Sequence, residues 1–133
     1  MWAPDVTRGL DGRYYLYYCL NRMPQMAVAV SDTPAGKYEY LGLVRHADGV
    51  PLGDKDGDFM QFDPAVFVDD DGTVYLYSGM AARMESQRGQ KHLNSQVMTL
   101  ESDMLTLKTE PKEFIPTMFT SAGTGLSSFS ITT

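Results

Sequence analysis

The sequence predicts an all-β protein made of two similar four-stranded antiparallel units, and three observations lead there. Short runs of β-branched and aromatic residues bounded by turn residues dominate, while helical periodicity is scarce. Twelve glycines and seven prolines among 133 residues make the chain turn-rich. The chain also repeats itself: with Pro64 laid on Pro4, an offset of 60 residues, Val66 falls on Val6, Asp71-Gly72 on Asp11-Gly12, and Tyr75-Leu76-Tyr77 on Tyr15-Leu16-Tyr17.

Each unit reads as Pro, strand, Asp-Gly turn, Tyr-Leu-Tyr strand and two further strands. In the first, strands are predicted over residues 13–18, 25–30 and 37–44, the last alternating and exposed on one face. Ser31-Asp32-Thr33-Pro34-Ala35-Gly36 is a turn cluster between them, and the polar, Gly/Asp-rich residues 45–58 are a loop. In the second, residues 65–68 and 73–78 form a hairpin through Asp70-Asp71-Gly72, followed by strands at 95–100 and 105–109. Four antiparallel strands per repeat is the unit of a β-propeller blade. Strands apolar on both faces, such as Val74-Tyr75-Leu76-Tyr77, suit blades stacked on both sides. The competing reading is two ordinary hairpins in a sandwich.

Length and charge set further bounds. A chain of 133 residues is of one-domain size, since domains run to about 100–150 residues. Seventeen acidic against eleven basic side chains leave a net charge of −6, which argues against nucleic acid or an anionic membrane as partner. No apolar run approaches the roughly 18–20 residues of a membrane helix. A single cysteine, Cys19, excludes an internal disulfide framework and a Cys-based zinc site. Residues 1–5 have neither the basic nor the apolar region of a secretory leader. The default expectation is therefore the cytoplasm, or secretion if the chain is part of a longer protein.

Three stretches carry a family resemblance. Trp2-Ala3-Pro4-Asp5-Val6 followed by Asp11-Gly12-Arg13-Tyr14-Tyr15-Leu16-Tyr17 is similar to glycoside hydrolase family 43. So are Gln61-Phe62-Asp63-Pro64-Ala65-Val66-Phe67-Val68-Asp69-Asp70-Asp71-Gly72 and the hairpin from Ala29 to Tyr38. The resemblance covers roughly residues 2–120 and keeps the family's order and spacing. It implies a five-bladed propeller of which this chain carries the second and third blades, one partial domain over residues 1–120. It implies inverting hydrolysis of arabinose- or xylose-containing polysaccharides and oligosaccharides, by arabinofuranosidase or xylosidase action.

The family works with three carboxylates: an Asp base, an Asp in an Asp-Pro motif and a Glu acid. Only the middle one has a matching position here, Asp63, which the resemblance makes the carboxylate that orients the acid and raises its pKa. The base would fall before Trp2. The acid would fall after about residue 120, where the Ser/Thr-rich residues 121–133 contain no Glu and do not continue the pattern. The expectation is a truncated or frame-disrupted product with a disordered or non-native tail and little activity of its own.

The repeat places neighbours around Asp63. Trp2 falls on Phe62 and Ala3 on Asp63, so the first unit offers an indole but no carboxylate at that point. Trp2 is a candidate to stack on a sugar ring, or else a core residue between blades. Asp5, two residues beyond Ala3 on the same face, is a candidate polar liner of the central channel. Phe62, and Gly79 and Met80 on the returning strand, are predicted to border the same funnel. The candidate substrate-binding set is thus Trp2, Asp5, Phe62 and Met80. Asp69-Asp70-Asp71 lies at the far end of its strand, about 20 Å away at roughly 3.3 Å per residue, and reads as a solvated turn.

Metals and cofactors find little support. Asp54-Lys55-Asp56-Gly57-Asp58 fails the EF-hand pattern, which needs Gly at the sixth and Glu at the twelfth position; Phe59 and Ala65 stand there. A surface loop on the substrate side is the reading. His46 and His92 lack ligand-spaced partners, and the basic residues beside them suggest surface placement. Neither a Gly-rich phosphate loop nor a Ser nucleophile elbow occurs, so no cofactor and no metal is expected. Cys19 reads as a small buried hydrophobe. Rival functions are a non-catalytic carbohydrate-binding propeller module and a fructan or sucrose hydrolase. Two units fall short of the roughly four to eight blades that close a propeller. The remainder of a propeller, or self-association, is therefore expected to cover the open faces.

Overall fold

The computed structural model describes residues 1–81 and 94–114, with the side chains of Met80, Ala81 and Asn94 outside that description. The expectations for His92 and for residues 121–133 fall outside the described residues. Eight strands and no helix occur among those described. They are β1 (Trp2–Arg8), β2 (Tyr14–Cys19), β3 (Met26–Ser31), β4 (Glu39–Leu43), β5 (Ala65–Val68), β6 (Val74–Ala81), β7 (Asn94–Leu100) and β8 (Leu107–Glu113). Two four-stranded sheets result, ordered β1-β2-β3-β4 and β5-β6-β7-β8, with every neighbouring pair antiparallel.

The 60-residue repeat holds at the level of single hydrogen bonds. Asp5, Val6, Thr7 and Arg8 face Tyr17, Leu16, Tyr15 and Tyr14, and Ala65, Val66, Phe67 and Val68 face Tyr77, Leu76, Tyr75 and Val74. Both turns need a glycine for the same reason, with φ of +85° at Gly12 and +90° at Gly72. The N–H of Arg13 bonds the Asp11 carboxylate at 3.0 Å, and that of Thr73 bonds the Asp71 carboxylate at 2.9 Å. These are Asx turns, in which a short carboxylate side chain satisfies a backbone donor two residues on.

The sheets stack through opposite faces. β2 turns Tyr15, Tyr17 and Cys19 inward, while β6 turns Val74, Leu76 and Ser78 inward. One apolar core joins residues of both sheets, with Met26 and Val28 from β3 and Met98 and Leu100 from β7. A buried phenol needs a partner, and Tyr17 donates to the Met104 carbonyl at 2.8 Å, tying the first sheet to the β7–β8 turn. Burial also pushes the Tyr17 phenol pKa upward.

Several strand bounds differ from expectation. The predicted strand at 105–109 lies further along as β8, running past Pro111, because an outermost strand leaves one row of N–H groups unpaired and tolerates proline. β4 is shorter than 37–44, and its exposure does not alternate: Glu39, Tyr40 and Leu41 are all exposed. Gln25 does not open β3 but is buried just before it, donating to Asp54 at 2.8 Å.

The linker between the sheets is more ordered than a solvated loop. Leu52 is fully buried, and Arg45 pairs with the start of the second sheet's last strand through bonds to Leu105 and Leu107. His46 corrects the surface expectation, being 2% exposed. Its Nε2 lies 2.8 Å from the Asp58 carboxylate, and its Nδ1 lies 2.7 Å from Glu110 but off line for a hydrogen bond. Charged neighbours in sequence did not indicate exposure, because Arg45 turns its guanidinium to Thr106 and Asp103 while the imidazole meets Asp58 and Glu110.

Candidate functional site

The site begins with the backbone of Asp63. Its φ is +48°, a conformation that costs a side-chain-bearing residue free energy unless its surroundings enforce it. The enforcement comes from both directions along the chain. Just before it, the N–H of Gly79 bonds the Phe62 carbonyl at 2.8 Å, holding the incoming segment against β6. Just after it, buried Pro64 leads into β5. Asp63 itself is exposed at this mouth. Opposite stands Gly79, where even a Cβ would sit 3.9 Å from the Cβ of Asp63, so the missing side chain leaves room beside the carboxylate.

Two residues upstream, Gln61 is completely buried and anchors this turn. Its amide nitrogen donates to the Phe59 carbonyl at 2.8 Å and to Gln96 at 3.3 Å, and its amide oxygen accepts from Ser78 at 2.7 Å. Its backbone N–H reaches the Pro24 carbonyl at 3.0 Å in the first sheet's β2–β3 connection. The Cys19 thiol lies 3.5 Å from the Gln61 carbonyl. Burial pushes that thiol up to about 11, a residue of the core rather than a nucleophile at neutral pH. No sequence pattern pointed to this network, whose members are separated by 17 and 35 residues.

The predicted site residues fall as follows. Cys19 is the cross-strand partner of Trp2 and an electrostatic neighbour of Asp63, so Trp2 and Asp63 belong to the same end of the two sheets. Trp2 is 52% exposed there. Phe62 is half-buried next to Asp63. Met80 follows Gly79 in β6, its side chain outside the described residues. Asp5 has a definite bond: its carboxylate accepts the Val66 N–H at 2.8 Å, from β1 across to β5. It thus covers a donor on the free edge of the second sheet's innermost strand. The acidic run at 69–71 is the turn at the opposite end, with Asp70 and Asp71 exposed.

The acidic loop at 54–58 folds on itself. One Asp58 oxygen accepts the N–H groups of Gly53 at 2.7 Å and Lys55 at 3.1 Å in addition to facing His46. Among the described residues, no group of three or more His, Cys, Asp or Glu is arranged to hold a metal ion.

Fold and site together define a pair of propeller blades with one carboxylate at a blade mouth. The model of glycosyl hydrolases family 43 matches residues 1–127, and the chain belongs to that family. It is 48% identical over 125 residues to a xylosidase/arabinosidase of Thermoclostridium stercorarium, covering 94% of this chain and 25% of that protein. Among solved structures it resembles a family 43 arabinoxylan arabinofuranohydrolase from Bacillus subtilis, with TM-score 0.63 and 28% identity over 88% of this chain and 25% of that one. A Xanthomonas citri enzyme of the family, complexed with xylose, matches with TM-score 0.62 and 28% identity over 86% of this chain and 36% of that one. The chain thus spans about a quarter of the length of the Thermoclostridium relative.

Proposed function

We propose that this chain is part of an inverting glycoside hydrolase that cleaves O-glycosidic bonds in arabinose- or xylose-containing polysaccharides or oligosaccharides. The observation that carries the reading is Asp63, exposed at the blade mouth on a backbone of positive φ within the family's Asp-Pro motif. An inverting enzyme needs a protonated acid for the leaving oxygen and an ionised base for water, roughly 6.5–9.5 Å apart. Asp63 serves as the third carboxylate. Its negative charge beside the acid disfavours a second anion, so the acid keeps its proton to higher pH. Trp2 and Phe62 offer aromatic surface to sugar rings, Met80 borders the same end, and Asp5 lines it while holding β5 in place. The 133 residues supply one of the three carboxylates, so the activity belongs to a complete propeller. The chain's open faces await the rest of that propeller or another copy of the chain.

The test is a complete enzyme in which residues 1–114 replace the matching segment of the Thermoclostridium relative. It is expected to hydrolyse xylosyl or arabinofuranosyl substrates. Asp63→Asn is expected to lower kcat and to shift the alkaline limb of its pH profile to lower pH, since the acid then loses its proton more easily. An unshifted limb with undiminished kcat would remove Asp63 from this role.

A further inference from the structure

The two residues that lead into Asp63 are held by bonds reaching three elements. Burying an amide costs free energy unless each of its polar groups is bonded. At Gln61 both amide hydrogens and the amide oxygen are engaged, by Phe59, Gln96 and Ser78. Ser78 is buried on β6 and Gln96 is buried on β7. The main chain of Gln61 reaches the first sheet as well, through its N–H to Pro24 and its carbonyl to the Cys19 thiol. The Cys19 sulfur also lies against the Asp63 backbone. Next to Ser78, the N–H of Gly79 holds the Phe62 carbonyl. Residues 61–63 are thus tied to β6, to β7 and to the first sheet at once.

The first sheet is an internal control for what this network does. At the offset of 60 residues, Met1 stands in the place of Gln61 and Tyr18 in the place of Ser78, so the amide network has no counterpart there. Ala3 nevertheless takes the same bend as Asp63, with φ of +45° against +48°. The network therefore does not make the bend. What it adds is direction, because apolar burial is non-directional whereas hydrogen bonds fix where their partners sit. It occurs in the repeat that has a carboxylate at the bend and not in the repeat that has alanine.

We infer that Gln61, together with Ser78, is a positioning residue that fixes the Asp63 carboxylate in its place beside the acid of the complete enzyme. The inference rests on the reading of Asp63 as the third carboxylate. A carboxylate that drifts away from the acid exerts a weaker field on it, so the acid loses its proton at lower pH.

The experiment uses the complete enzyme that carries residues 1–114. Ser78→Ala removes one bond of the network, and Gln61→Met removes every bond made by the amide side chain. The milder variant keeps the test open should the other fail to fold. Each is expected to lower kcat with KM nearly unchanged, by roughly 10-fold for Ser78→Ala and up to about 100-fold for Gln61→Met, the scale of a small misplacement. Each should also move the alkaline limb of the pH profile to lower pH, in the direction of Asp63→Asn and by less. In an Asp63→Asn background, Ser78→Ala should move the limb no further, since the charge is already gone. Variants that lower only the melting temperature, with the limb and the kcat of the folded enzyme unmoved, would overturn the inference. An Asp63→Asn enzyme with an unshifted limb and undiminished kcat would instead remove the carboxylate reading. The crystal structure of the Ser78→Ala enzyme separates the two failures: a displaced Asp63 carboxylate upholds the positioning role, and one left in place overturns it.

Discussion

The two sheets share a register, a turn and a strand order, yet differ in what lies at the start of their innermost strands. The first sheet has Ala3 where the second has Asp63, and both take a positive φ, +45° and +48°. A strained backbone at a functional residue usually invites a functional explanation. Here the same strain occurs at an alanine with no chemistry to perform. The bend therefore belongs to the way a blade begins, and the carboxylate is placed on a position that the architecture already aims at the mouth. The reverse exchange holds two residues on, where Asp5 of the first sheet ties the junction and Ala65 of the second does not. One repeat carries the candidate chemistry and the other carries the seam.

The largest effect that would test this division is on turnover. In a complete enzyme, Asp63→Asn is expected to reduce kcat by about 100-fold or more, while Ala3→Ser leaves it nearly unchanged. Equal losses at both would mean that the bend, rather than the carboxylate, carries the activity.

Buried positions come next. Leu76 is fully buried and its equivalent Leu16 only half-buried, so Leu76→Ala should cost about 2–5 kcal/mol and Leu16→Ala clearly less, as read by urea unfolding of the full chain. Similar costs would indicate that the outer face of the first sheet is covered in solution. Gln61→Leu strands the hydroxyl of Ser78 and one partner of Gln96 in the core, with an expected loss of about 1–3 kcal/mol.

The smallest contrast lies in the turns. The Tyr15 hydroxyl donates to Asp11 at 2.6 Å, whereas Asp71 in the second turn accepts the Thr73 N–H at 2.9 Å. Burial and the Asp11 charge push Tyr15 up to about 12, and the Tyr15 hydrogen bond lowers Asp11. A phenol raised in the folded state contributes stability below its unfolded value of 10.0, lost as pH rises through about 12. A lowered carboxylate contributes above its unfolded 3.8, lost as pH falls through its folded value. Tyr15→Phe should therefore flatten both limbs of a stability profile slightly, as read by urea unfolding across pH.

Legibility followed the range of the interactions. The Asp-Gly turns, the Tyr-Leu-Tyr strands and the offset between the sheets were readable, because a turn and its hairpin register are decided by a handful of adjacent residues. Gly79 was expected at the Asp63 end from strand length alone, and its N–H does bond Phe62. His46 was misjudged because its burial depends on Asp58 and on Glu110, which lies 64 residues along the chain on β8. The Gln61 network left no signature, since glutamine and serine are common on surfaces and only the stacked sheets enclose these ones.

The amino-acid sequence by itself determined the strands, the turns, the repeat and the place of Asp63 in its motif, all matters of local backbone preference and alternation. Only the tertiary structure decided which face of each sheet is buried. Leu16 and Leu76 occupy equivalent places in near-identical strands, and nothing local distinguishes them. Stacking two copies of one unit in the same sense puts one face of the first against the opposite face of the second, so the same residue becomes core in one sheet and outer surface in the other.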